Sequence, residues 1–170
     1  HGVSNMLRAY LGAFMSESLN PKPNWKIVKE TPSCATINSD NGLGIVVAPK
    51  AMEIAVEKAK KTGAGIVTMN NCGHMGMLAY HSMIASENDM IGTTMAACSP
   101  RMVPTFSSVR ALGTNPISYS APADKLPDFV FDAAMTSVAG NKIVLASRLN
   151  VPLSKGWIAD KKGNPIMEDI

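Results

Sequence analysis

The stretch Gly63-Ala64-Gly65-Ile66-Val67-Thr68-Met69-Asn70-Asn71-Cys72-Gly73-His74-Met75-Gly76 decides how the fold is read. Its first three residues have the GxG form that opens a dinucleotide-binding loop. A short apolar run of strand character, residues 65–69, follows them instead of a helix. A Rossmann phosphate loop needs the order strand, glycine turn, helix N-terminus, so this order disfavours a standard nucleotide fold. No GxxxxGK[ST] occurs either. Gly63 reads instead as the stop of the helix before it. Asn70-Asn71 ends the strand, and the loop around His74 leads into a helix over residues 77–88.

Working upstream, Met52, Ala55, Val56 and Ala59 form a stripe opposite Lys50, Glu53, Glu57, Lys60 and Lys61. That periodicity predicts a helix over 47–61, with Glu57 and Lys61 as a favourable pair four residues apart. Residues 38–44 are turn chemistry, and 28–37 are extended, interrupted at Pro32, with the strand at 35–37. Over 2–18, Val3, Met6, Leu7, Tyr10, Leu11 and Phe14 share one helical face, stopped by Pro21 and Pro23. Downstream, 90–95, 117–120 and 129–131 read as strands, 100–108 as loop and 138–150 as helix. Strand and helix alternate, so the expected class is α/β, a mixed β-sheet layered with helices.

Composition narrows the function. The 170 residues correspond to about one domain. They are 46% hydrophobic and 17% charged, with a net charge of +3, which excludes a disordered chain and carries no nucleic-acid signature. Twelve Met fit a core or pocket that must adapt its shape. No run of 18 apolar residues exists, so no membrane partner is expected. Cys34, Cys72 and Cys98 form no CxxC, and their odd number fits a reducing, cytoplasmic setting.

His74 lies in a loop at the C-terminal end of a strand, where α/β sites concentrate, flanked by small residues that let a ligand approach the backbone. It is read either as a proton-exchanging residue or as a hydrogen-bonded histidine of a tight turn. His81, one turn into the next helix, reads as a structural residue. Cys72, His74 and His81 match no common zinc spacing, so no metal is expected. Asp132 follows the apolar run 129–131 and opens the small-residue loop Ala133-Ala134-Met135-Thr136; it either binds a hydroxyl or caps a helix. Thr114, in Leu112-Gly113-Thr114-Asn115-Pro116, either contacts a ligand or belongs to a satisfied turn.

Seven stretches taken in order resemble the type-2 malate/L-lactate dehydrogenase family of NAD(P)-dependent oxidoreductases. They are His1-Gly2-Val3-Ser4, Glu30-Thr31-Pro32, Asp40-Asn41-Gly42-Leu43-Gly44, Gly73-His74-Met75-Gly76, Leu112-Gly113-Thr114-Asn115-Pro116, Phe131-Asp132-Ala133-Ala134 and Gly156-Trp157. The resemblance implies a non-Rossmann fold and a homodimer, with residues 1–170 as the central part of a subunit about twice as long. It implies hydride exchange between NAD or NADP and a small 2-hydroxy/2-oxo acid such as malate or lactate. The alternatives it leaves are an imine substrate or a non-catalytic relative. His1 and His74 align with the family's proton-transfer histidines. His74, Met75, Gly76, Met77, Leu78, Asp132, Ala133, Ala134, Met135 and Thr136 align with cofactor-lining stretches, and Thr114 with the substrate side.

Three departures bear on the substrate. Many relatives carry an arginine four residues after the first histidine, where this chain has Asn5. Arg8, one turn later, offers a guanidinium that can bind a carboxylate bidentately. Pro104-Thr105-Phe106-Ser107 replaces a Pro-x-Gly-Gly loop, and Cys72-Gly73 replaces Ser-Asn before the loop histidine.

Overall fold

The computed structural model describes residues 6–167, which fall into two compact units. One holds Met6–Thr94 and Ser118–Asp132, and the other is built on Met95–Ile117 and the chain from Ala133 onward. Length alone pointed to about one domain. The division arises because the chain leaves the first unit after Thr94, re-enters it at Ser118 and leaves again, a path that length does not encode.

In the larger unit, β1 (Lys26–Glu30), β2 (Cys34–Asn38) and β3 (Ile66–Asn70) form one sheet in that order. β1 is antiparallel to β2, while β2 and β3 are parallel, with Ile37 opposite Met69. A parallel pair requires a crossover, which α2 (Gly44–Thr62) supplies. Ile37, Val47 and Ala51 form the core of that contact, with Trp25, Ile54, Val67 and Met69 packed around it. Complete burial of Ile37 and Val47 contributes about 1.5–3 kcal/mol each and fixes α2 on the sheet. On the other face of the sheet the Thr36 and Thr68 hydroxyls meet at 3.1 Å. The mixed sheet agrees with the alternation read from the sequence.

The two glycines of Gly63-Ala64-Gly65 serve packing. Gly63 is the left-handed C-cap of α2 (φ +83°), donating its N–H to the Ala59 carbonyl. At Gly65 the chain passes so close to α2 that a Cβ would collide with the Ala55 carbonyl oxygen. Gly42-Leu43-Gly44, taken above only as a turn, is a second GxG, and it does stand between a strand and a helix. The third glycine position is Val47, and the space over the helix start is filled by protein. A Cβ on Gly44 would lie 2.7 Å from Met75 Cγ and 3.0 Å from the His74 carbonyl oxygen. The Rossmann site is therefore absent for a steric reason as well as a sequence one.

α1 (Leu7–Met15) is shorter than the 2–18 expectation; residues 1–5 lie outside the described residues. It ends well before Pro21, where the Ser16 and Ser18 hydroxyls donate to the Ala13 carbonyl and Glu17 turns left-handed (φ +57°). Met6, Tyr10, Ala13 and Phe14 are half-buried, whereas Leu7, Leu11 and Met15 stand exposed, so the inward face is narrower than the sequence stripe. α2 begins three residues before the predicted start, with Pro49 inside it. The predicted Glu57–Lys61 pair is replaced by Lys60–Glu57 at 2.7 Å, three residues apart, and Lys50 pairs Glu53 in the same way.

α3 (Leu78–Ser86) packs beside α2 and against a second sheet of β4 (Gly92–Met95), β5 (Ile117–Ala121) and β6 (Phe129–Ala133), in that order. This interface is made of small and hydroxylic groups. The Ser82 and Ser118 hydroxyls meet at 2.8 Å, Ser118 donates to the Phe131 carbonyl, and Ser120 donates to the Ser82 carbonyl. In the smaller unit, α4 (Gly140–Leu149) ends at Asn150, which adopts φ +52°. Among the described residues, no helix is long and apolar enough to cross a membrane.

Candidate functional site

Three helices of the larger unit converge on the loop Gly73-His74-Met75-Gly76-Met77. At the start of α2, the Ile45 N–H donates to the His74 carbonyl at 3.2 Å, capping a helix that has no side-chain cap of its own. The Gly73 N–H donates to the Gly42 carbonyl at 2.9 Å. From α3, His81 Nε2 donates to the Met75 carbonyl at 2.8 Å. From α1, the Tyr10 hydroxyl stands 2.6 Å from His74 Nδ1. The loop backbone is thus anchored from two sides, and one nitrogen of the His74 ring from a third.

His74 is exposed as a residue, yet desolvation of its ring holds the imidazole below its ordinary value. It is therefore neutral near pH 7, and burial pushes the Tyr10 phenol up, so that group is neutral too. Their contact joins two uncharged groups. His74 Nε2 has no partner among the described residues, which leaves it available for a ligand.

His81 is 1% exposed, and burial lowers its pKa against smaller opposing effects of the Met75 carbonyl and Asp132. Donation from Nε2 in a neutral ring makes Nδ1 the lone-pair nitrogen, and that atom has no partner among the described residues. The structural role expected for His81 holds, and it holds the loop.

Asp132 lies inside β6, one residue beyond the strand expected at 129–131. Its Oδ2 accepts the Ala79 N–H at 2.9 Å, so it caps α3, an element 53 residues away in the chain. Of the two readings open for Asp132, the structure displays the cap. The backbone N–H groups of Met75, Gly76 and Met77 donate to no acceptor among the described residues.

The remaining predicted site residues are placed as follows. Leu78 is 1% exposed and packs into the core. Arg8 is two residues from Tyr10, about 200° round α1 by helix geometry, so it faces away from the His74 side. His1 and Asn5 lie outside the described residues. In the smaller unit, the Met135 N–H donates to the Thr114 carbonyl at 2.8 Å and Thr136 Oγ1 donates to the Val138 carbonyl. Thr114 and Met135 are thus brought together, and Ala133 and Ala134 immediately precede Met135. Among the described residues, no group of three His, Cys, Asp or Glu could hold a metal, and burial pushes the Cys72 thiol up, away from nucleophilic reactivity.

The sequence reading missed Tyr10 as a site residue, since it counted there as part of an apolar stripe. A phenol among aliphatic side chains was the one available signal, and nothing linked residue 10 to residue 74.

Residues 1–169 match the family described as malate/L-lactate dehydrogenase. The chain belongs to that family. Its relatives include the L-sulfolactate dehydrogenase of Methanocaldococcus jannaschii, 41% identical over 165 residues, covering 97% of this chain and 47% of that protein. The malate dehydrogenase of Pyrococcus abyssi is 40% identical, covering 96% of this chain and 44% of its own length. The crystal structure of malate dehydrogenase from Entamoeba histolytica superposes with a TM-score of 0.92 at 29% identity, over 98% of this chain and 46% of that one. The chain spans about half the length of the malate/L-lactate dehydrogenase relatives it matches. The non-Rossmann α/β fold of that family is the fold observed.

Proposed function

We propose that this chain carries the proton-transfer half of an NAD(P)-linked dehydrogenase acting on a small 2-hydroxy/2-oxo acid. The observation that carries the reading is the His74 imidazole, neutral and exposed on a strand-to-helix loop, with Nδ1 engaged by Tyr10 and Nε2 unengaged among the described residues. A neutral imidazole accepts a proton from the C2 hydroxyl of a 2-hydroxy acid as the carbonyl forms; in the reverse direction the imidazolium returns it to the oxygen. When bound, a nicotinamide would take the C2 hydride as the carbonyl forms and return it in the reverse direction. The Met75, Gly76 and Met77 N–H groups would hold its carboxamide oxygen, and Ala133, Ala134, Met135, Thr136 and Thr114 belong to the same proposal through the family alignment.

Relatives named for malate and L-sulfolactate support an acid that bears a second anionic group. His1 is proposed as a second proton-transfer group and Asn5 as a substrate-side residue by the same resemblance; Arg8, turned to the far side of α1 from His74, is not part of the proposal. A homodimer is part of this reading, supported by the exposed Leu7, Leu11 and Met15 along one side of α1; sedimentation tests it. The activity test is the absorbance of reduced nicotinamide, using the polypeptide carrying this chain at its relatives' length. NAD and NADP are each offered with malate, lactate and sulfolactate. The reading expects reduction of one cofactor with at least one acid. Cofactor binding without turnover across the panel would replace it with a non-catalytic relative.

A further inference from the structure

We infer that Tyr10 is the positioning residue of His74: its phenol oxygen accepts the Nδ1–H and leaves Nε2 as the nitrogen that takes and returns the substrate proton. The inference rests on the proposed role of His74 and adds the group that orients it.

The geometry is direct. Tyr10 Oη and His74 Nδ1 are 2.6 Å apart, with ring centroids 6.0 Å apart and an interplanar angle of 36°. No other side chain among the described residues hydrogen-bonds the His74 ring. The partner is held in place from below. After α1, the Asn20 N–H donates to the Asn41 carbonyl at 2.9 Å, and Asn20 Nδ2 donates to Asp40 Oδ2 at 2.8 Å. Asn20 also bridges Gly42, whose carbonyl accepts the Gly73 N–H, and Leu19 packs directly on Gly73. The helix carrying Tyr10 and the loop carrying His74 therefore rest on one turn.

The direction of the hydrogen bond follows from what the ring must do. With the proton on Nδ1, donation to Oη persists in both the neutral imidazole and the imidazolium, so proton exchange at Nε2 disturbs no contact. In the opposite arrangement the phenol donates to Nδ1, and Nε2 already carries a proton and has no lone pair to accept another. Tyr10 thus fills the place that a carboxylate occupies behind many catalytic histidines, without a negative charge. Because the phenol stays neutral, it orients the ring without raising its basicity, consistent with an imidazole held below its ordinary value.

The test uses the polypeptide at its relatives' length, labelled with 15N-histidine, as wild type, Tyr10→Phe and His74→Ala. The expected wild-type spectrum has the His74 proton on Nδ1. In Tyr10→Phe it moves to the mixture dominated by Nε2–H that free imidazoles prefer. Turnover falls about tenfold or more with KM within about twofold, since the substrate contacts are untouched. An Nε2–H wild type, or a Tyr10→Phe protein with unchanged tautomer and turnover, would overturn the inference. Unchanged turnover in His74→Ala would instead sink the proposed function, while the tautomer measurement still decides whether Tyr10 holds the ring.

Discussion

The Asp132 carboxylate accepts the Ala79 backbone N–H at 2.9 Å, closing the N-terminus of α3 with a residue from a strand 53 positions later. The cap adds a negative charge to the positive end of the helix dipole, beside the loop that presents His74. Replacing Asp132 by Ala is expected to lower stability by about 1–2 kcal/mol. Asp132→Asn, which keeps an acceptor oxygen, should lose less than half of that. Urea unfolding of the three proteins measures it, and equal losses in the two variants would mean that the hydrogen bond contributes nothing.

His81 gives stability a pH dependence with a definite sign. Its folded pKa is lowered by burial from the ordinary value of about 6.5. Between the folded and unfolded values the unfolded chain binds more protons, so stability is fully present above about 6.5 and is lost as pH falls toward the folded value. His74 shares the sign, but water at its exposed ring weakens its share. His81→Gln, which keeps a donor for the Met75 carbonyl, should flatten the drop in urea midpoint between about pH 7.5 and pH 5. An unflattened drop would rule His81 out as its source.

Turnover should depend on His74 through its protonation state. Substitution of His74 by Ala is expected to cut turnover by about 100-fold or more, and the same holds for His1. On the proposed function, oxidation of the 2-hydroxy acid needs the neutral ring, so its rate should rise with pH along a limb centred below about 6.5. Reduction should fall over the same window. Steady-state profiles in both directions check this, and an oxidation limb centred above 7 would contradict the lowered pKa.

The two glycines of the GxG should respond unequally. Gly63→Ala strains a left-handed residue in open space and is expected to cost about 1 kcal/mol. Gly65→Ala drives a Cβ into the Ala55 carbonyl and should cost about 2–3 kcal/mol. Nicotinamide affinity should change in neither. A selective loss of cofactor binding in either variant would revive the phosphate-loop reading.

The sequence conveyed what depends on local periodicity. The α2 stripe around Met52 and Val56 and the Gly63 stop are found where alternation and cap chemistry put them, and the strand expected at 65–69 forms one residue later, as β3. The family-matching motifs led to the correct family because they record a whole fold. What escaped depends on contacts between residues distant in the chain. The capping partner of Asp132 is 53 residues away, and the Tyr10–His74 contact spans 64. Glu57 chose Lys60 over Lys61, a rotamer outcome that residue spacing alone leaves open. Leu7 and Leu11 share the sequence stripe of Tyr10 and Phe14 yet stand exposed, because hydrophobic spacing states which side chains share a face and says nothing of which part of that face is covered.

The packing of Gly44 and Gly73 bears on how the protein could be redesigned. A Cβ on Gly73 would come within 2.7 Å of Leu19 Cδ2 and 3.2 Å of the Gly42 carbonyl oxygen, and Gly44 is hemmed in from the other side. A library aimed at new substrates that randomised these two positions would spend most of its members on misfolded chains. The same loop offers Met75 and Met77, flexible side chains that are only partly buried, and variation at these positions changes the loop beside His74 and leaves the glycine frame standing.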